Sequence, residues 1–139
     1  MGMEENNCFE KYNANPKGKQ VGDCTVRAIS KILDEEWEKS YAEICLQGFI
    51  MCDMPSANHV WGAYLRKKGF KRGLINNECP DCYTVKDFCR DNPRGRFLLS
   101  ISGHVVTVID GKYYDTWDSG DQVPIYFWYK EINDNDDLL

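Results

Sequence analysis

Two residues of this chain are of the types that perform nucleophilic catalysis and lie in local contexts that favour it. Cys24 begins an apolar run with helical spacing, which puts its thiol at a predicted helix N-terminus. Free backbone N–H groups and the helix dipole favour an anion there and lower the pKa of a thiol. His104 is one of two histidines and opens a predicted strand. Together they form a candidate nucleophile and general base.

The third candidate is an acid whose position depends on the turn after His104. Asp110-Gly111 separates two runs rich in β-branched and aromatic residues, a strong signal for a two-residue type I′ hairpin turn. With that turn, His104 and Asp115 become diagonal neighbours on one face of the strand pair. A three-residue loop would instead place Asp118 opposite His104. The turn signal favours Asp115, which would hold the imidazole in the correct tautomer.

Helical periodicity predicts the elements that carry the thiol. Four helices are expected over residues 24–33, 35–47, 56–68 and 84–91. Asp23, Ser56 and Thr84 are placed to cap the N-termini of the first, third and fourth helices, and Gly48 to end the second. Thr84 is followed three residues later by Asp87, the spacing of a capping box.

The pattern changes to that of strands after Gly95. Strands are predicted over residues 96–101, 104–109, 112–117 and 125–129. Residues 1–20 show no apolar period and are predicted to be an irregular lead-in, and residues 131–139 an acidic, flexible tail. Helices followed by antiparallel strands, without a repeat or an internal linker, indicate a single α+β domain over residues 1–139.

Composition excludes several classes of protein. The 139 residues are 42% apolar and 28% charged, which is typical of one globular domain and not of a disordered chain. No apolar run approaches transmembrane length, and the first residues lack the basic start and apolar stretch of a signal peptide. We therefore expect a cytoplasmic protein without a membrane partner. The net charge of −5 argues against a nucleic-acid partner.

The seven cysteines are expected to be reduced thiols in that compartment. Cys79 and Cys82 form a C-x₂-C pair, but a zinc site needs two further ligands and the sequence has no second such pair. A turn that carries two thiols is the favoured interpretation, with a metal site and a redox pair as minor alternatives. We expect no cofactor.

Two stretches resemble papain-like cysteine peptidases. Residues 22–30, GDCTVRAIS, resemble their nucleophile helix and are close to the Gly-Asn-Cys-Leu-Phe-Arg-Ala pattern of ovarian-tumour-type deubiquitinases. Residues 103–118, GHVVTVIDGKYYDTWD, resemble the histidine strand, hairpin and acid strand of papain-like, double-glycine and transglutaminase-like proteins. Asp115-Thr116-Trp117 is similar to the Asn-Ser-Trp triplet of papain relatives. The resemblance spans roughly residues 20–33 and 96–118, in the same Cys, His, Asp order.

The resemblance implies a papain-like fold, in which helices carrying Cys24 pack on an antiparallel sheet carrying His104 and Asp115. It also implies a thiol protease or isopeptidase of bacterial or phage type, acting on a protein or peptide. Papain relatives supply an oxyanion donor from a Gln about six residues before the Cys, where this chain has Gly18. Gln20, four before, is the remaining side-chain candidate. Val21 stands where the deubiquitinases have an Asp, so ubiquitin specificity is not implied.

Two further functions stay open. The missing upstream Gln and the small size are compatible with a catalytically silent papain-like module that binds a partner such as a host factor. Transglutaminase or deamidase chemistry on a Gln side chain is the other, since it uses the same thiol, imidazole and acid.

Overall fold

All four helices that the structure describes precede the last four strands, as predicted, but two short strands that were not predicted lie earlier in the chain. The computed structural model describes residues 8–75 and 82–130. Its elements in chain order are β1 (Phe9–Lys11), α1 (Cys24–Leu33), α2 (Trp37–Met51), α3 (Asn58–Lys67), β2 (Lys71–Leu74), α4 (Val85–Asp91), β3 (Arg96–Ile101), β4 (His104–Ile109), β5 (Lys112–Asp115) and β6 (Pro124–Tyr129). They form one small α+β domain. No described helix has the length and apolar character needed to cross a bilayer.

The strands form one mixed sheet in the order β1-β5-β4-β3-β6-β2. Every neighbouring pair is antiparallel except β1 and β5, which run parallel. The prediction of a purely antiparallel sheet is therefore wrong at this edge. The prediction of an irregular lead-in over residues 1–20 is also wrong where β1 forms, because its backbone groups find partners on β5. Residues 1–7 and the tail 131–139 lie outside the described residues.

The hairpin between β4 and β5 is confirmed in its register. Ile109 pairs with Lys112 across a two-residue turn. Asp110 and Gly111 both have positive φ, 51° and 79°, as a type I′ turn requires. β3 and β4 have the predicted bounds. β5 ends at Asp115, two residues earlier than predicted.

Several helix termini differ from their predicted positions. α2 continues through Gly48 to Met51, and Cys52 adopts the left-handed conformation at its C-terminus. Gly48 instead allows a close approach, because a Cβ there would lie 2.8 Å from the carbonyl oxygen of Asp53. α3 begins after Ala57 and not after a capping Ser56. The capping box of Thr84 and Asp87 at the start of α4 is confirmed.

The buried apolar residues form two clusters. The larger one joins α1, α2 and α3 to the sheet through side chains such as Ile29, Trp61, Leu98 and Trp128. The smaller one joins α4 to the sheet and contains Leu99 and Val106. Consecutive residues of β3 thus belong to different clusters, as the alternation of side chains along a strand requires. The Thr107 hydroxyl also donates a hydrogen bond to the Ala28 carbonyl oxygen at 2.6 Å, which fixes α1 on β4.

Candidate active site

Cys24 is the first residue of α1, as predicted, but the preceding aspartate does not cap the helix with its side chain. The carboxylate of Asp23 accepts hydrogen bonds from Arg27 Nη1 at 2.5 Å and Trp37 Nε1 at 2.9 Å. The N–H groups of the first turn of α1 are therefore not occupied by the N-cap side chain. Such groups stabilise negative charge that develops next to them.

The Cys24 thiol is half-buried and lies against the beginning of β4. The His104 side chain and the Val105 backbone lie within hydrogen-bonding reach of it and favour its thiolate form. Burial is the largest single influence on this thiol and opposes its ionisation. The two hydrogen bonds and the positive charges of His104 and Arg27 together outweigh burial, so the pKa of Cys24 is lowered. The lowered pKa makes the thiolate, which is the nucleophilic form, more abundant near neutral pH.

His104 connects the thiol to an acid. Its Nε2 lies 2.6 Å from Oδ2 of Asp115, which leaves Nδ1 as the ring nitrogen for the thiol. Burial, the largest influence, disfavours the imidazolium, but hydrogen bonds and charges from Asp115 and Cys24 favour it. Together they raise the pKa of His104 to about 9. The exposed ring of Trp117 lies beside the imidazole, with ring centroids 4.9 Å apart.

Asp115 is 2% exposed, and hydrogen bonds surround its carboxylate. Oδ2 also accepts from the Ser119 hydroxyl at 2.7 Å, and Oδ1 accepts from the Thr116 N–H at 2.8 Å and from Arg27 Nη2 at 3.3 Å. Burial alone would raise the pKa of this carboxyl. The contacts with His104, Ser119 and Thr116 outweigh burial, so the pKa of Asp115 is lowered and the group is a carboxylate at neutral pH.

The structure thus brings Cys24, His104 and Asp115 together, and it places the other two candidates elsewhere. Asp118 accepts hydrogen bonds from the Tyr113 hydroxyl and from the Gly120 N–H at 3.1 Å, so it serves the loop after β5. Gln20 is exposed on the segment that leads to α1. Its role as an oxyanion donor stays a prediction.

Arg27 and Ser119 were not singled out by sequence reasoning. The signal for Arg27 was present, because it is a charged residue within the apolar run of α1. Ser119 carried no comparable signal. Arg27 contacts the acid from a helix 88 residues away in the chain, whereas Ser119 lies four residues after the acid.

The cysteine pair predicted as a minor metal candidate is only partly described. Cys82 is exposed, and Cys79 lies outside the described residues. Within residues 8–75 and 82–130, no three His, Cys, Asp or Glu side chains are grouped closely enough to hold a metal ion.

A cavity of about 280 Å³ lies beside the first turn of α1. Its walls come from α1, α2 and the segment that follows α2, and its apolar lining includes Val26, Tyr41, Ile44, Met54 and Pro55. Asp23 also borders it, but that carboxylate is already paired with Arg27 and Trp37. The cavity therefore favours an uncharged, apolar group.

Comparisons of this chain with protein-family models, with curated proteins and with solved structures found no match.

Proposed function

We propose that this chain is a cysteine-dependent acyl-transfer enzyme with a papain-like arrangement. Its simplest activity would be that of a thiol hydrolase that cleaves a peptide or isopeptide bond. The observation that carries the proposal is the grouping of Cys24, His104 and Asp115, in which His104 Nε2 lies 2.6 Å from Asp115 Oδ2 and the His104 side chain interacts with the thiol. A helix N-terminus supplies the thiol, one strand the imidazole and the neighbouring strand the acid.

The geometry suits a two-step reaction. The Cys24 thiolate attacks the substrate carbonyl carbon, a C–S bond forms, and the carbonyl electrons move onto oxygen. The Cys24 backbone N–H, at the uncapped start of α1, is positioned to stabilise that oxyanion. His104 then donates a proton to the leaving amine, and the C–N bond breaks. Water, deprotonated by His104, attacks the thioester and releases the thiol.

The surroundings of the thiol favour a protein or peptide substrate. The apolar cavity beside α1, at about 280 Å³, lies near the lower end of the roughly 300–1,000 Å³ typical of ligand sites. It is lined by Asp23 and Thr25, the chain neighbours of Cys24, and its apolar walls fit an apolar side chain of a bound peptide. The exposed ring of Trp117 offers a further apolar surface, beside His104.

The reactivity of the thiol tests the proposal. Each cysteine is labelled with iodoacetamide between pH 5 and 9, and the labelling is quantified by peptide mass spectrometry. Near pH 6, Cys24 should react faster than the other cysteines. The His104→Ala variant should lose that advantage, because the imidazolium no longer favours the thiolate. Cys52 is exposed and serves as the internal control. If Cys24 reacts no faster than Cys52 in the wild type, the proposal is wrong.

Substrate cleavage separates the remaining functions. A peptide library incubated with wild-type protein should yield new N-termini that are absent with Cys24→Ala. Ammonia release without cleavage would indicate transglutaminase or deamidase chemistry. A reactive Cys24 with no turnover, together with a stoichiometric partner captured equally by Cys24→Ala, would indicate the binding module.

A further inference from the structure

A buried arginine connects the nucleophile helix to the acid. Arg27 lies one turn after Cys24 on α1 and is 6% exposed. Its Nη1 is 2.5 Å from Oδ1 of Asp23, and its Nη2 is 3.3 Å from Oδ1 of Asp115. One guanidinium group therefore contacts both the residue that precedes the thiol and the residue that orients the imidazole.

The bridge depends on the shape and charge of the guanidinium. Arginine presents several N–H donors in a rigid planar fork and stays charged at any pH the protein encounters. A buried charge of this kind needs opposite charges around it, and two carboxylates supply them here. Trp37 Nε1 holds the second oxygen of Asp23 at 2.9 Å, so the bridge is also anchored on α2.

Without the Arg27 contact, the remaining hydrogen-bond partners of the Asp115 side chain, apart from His104, would all be its close neighbours in the chain. Ser119 and Thr116 are close neighbours of Asp115 in the chain and move with it. Among the hydrogen-bond partners of the Asp115 side chain, Arg27 alone belongs to the helix that carries the thiol. Arg27 thus connects α1, which carries the thiol, directly to the acid without passing through His104.

We propose that Arg27 is a positioning residue of the active site, which holds the first turn of α1 and the end of β5 at the separation that His104 spans. The inference rests on the proposed function, because it assigns Arg27 a role in the reactivity of Cys24. The guanidinium also adds a positive charge near the thiol, which favours the thiolate.

Two substitutions of Arg27 separate the effect of its positive charge from the effect of its planar set of N–H donors. Arg27→Met removes both, and Arg27→Lys keeps the charge but presents a single nitrogen that ends one bond short of the two Nη atoms that contact Asp23 and Asp115. Arg90→Met is the matched control, because Arg90 also pairs with an aspartate, Asp87 at 2.9 Å, but is 68% exposed and lies on α4. All variants are compared as full-length chains at temperatures below their unfolding midpoints.

The main readout is the pH profile of Cys24 labelling by iodoacetamide. In Arg27→Met the acidic limb should move to higher pH, and the rate at pH 6 should fall about tenfold for each pH unit of that movement. Arg27→Lys should keep the acidic limb near that of the wild type yet lower kcat on a cleaved peptide about tenfold or more. Such losses are typical of small misplacements in a catalytic site. Arg90→Met should change neither readout.

A structural role alone would give a different result. The unfolding midpoint of the Arg27 variants would fall, while the folded proteins would keep the wild-type pH profile and kcat, and this outcome overturns the proposal. If Arg27→Met does not fold, Arg27→Lys decides through kcat, because full activity in that variant overturns the bridge. A wild-type Cys24 that lacks His104-dependent reactivity overturns both this proposal and the proposed function. Normal reactivity in all Arg27 variants overturns the bridge alone.

Discussion

His104 should stay protonated well above neutral pH, and Asp115→Asn should return its titration toward the ordinary range. The pKa of His104 is raised to about 9, and the nearest opposite charge is Asp115 at 2.6 Å. An opposite charge within a few ångströms typically shifts a pKa by about 1–3 pH units. We therefore expect the midpoint of His104 to fall to between about 6 and 8 in Asp115→Asn.

The raised pKa of His104 also predicts how the free energy of unfolding depends on pH. A folded pKa of about 9 against an ordinary value of 6.5 corresponds to about 3 kcal/mol for this side chain, which is 13% exposed. Because the folded state binds the proton more tightly, this stabilisation is fully present below about pH 6.5 and is lost as the pH rises through about 9. The free energy of unfolding, measured with urea, should therefore decrease more between about pH 6.5 and about pH 9 in the wild type than in Asp115→Asn.

Proton NMR of the imidazole Cε1–H signals measures the midpoint directly. The chain has two histidines, so His59→Gln assigns the remaining signal to His104. Asp118→Asn is the matched control, because Asp118 contacts Tyr113 and Gly120 and should leave the His104 midpoint unchanged. A wild-type midpoint near 6.5, or a midpoint that moves in Asp118→Asn and not in Asp115→Asn, would refute the assignment of the acid.

Three further outcomes are expected. Cys89 should stay unlabelled by iodoacetamide at pH 7 while Cys24 reacts, because burial raises the pKa of Cys89 to about 12; equal labelling in peptide mass spectra would contradict this. Gly48→Ala should lower the free energy of unfolding by about 1–3 kcal/mol, because its Cβ meets the Asp53 carbonyl oxygen. An unchanged or higher value in urea would show that the contact relaxes. Met54→Ala should lower kcat/KM for peptides with a large apolar side chain more than for alanine peptides, and equal losses would exclude the cavity as a side-chain site.

The candidate site was predictable where its geometry depends on local sequence. Asp110-Gly111 specifies a two-residue turn, because both residues tolerate the positive φ that this turn requires. The turn fixes the register of β4 on β5, and the register brings His104 and Asp115 together. Cys24 was predictable for the same reason, since the apolar spacing that marks α1 begins at this residue.

Contacts between distant segments could not be predicted in this way. β1 has three residues, too few for any periodicity, and it exists because β5 offers a free edge. Asp23 has the residue type and position of an N-cap, yet its carboxylate binds Arg27 instead. The burial of Arg27 depends on a carboxylate 88 residues further along the chain. The local sequence around Arg27 does not indicate a partner that far along the chain.

The acid of the site illustrates how the two kinds of contact combine. β5 has four residues, and Asp115 is its last, a position where a strand at the edge of a sheet would tend to fray. The hairpin holds β5 on one side, β1 pairs with it on the other, and the Tyr12 N–H donates to the Asp115 carbonyl oxygen at 2.8 Å. Arg27 then fixes the carboxylate from α1. The local turn therefore selects which acid faces His104, while β1 and α1 determine how firmly that acid is held.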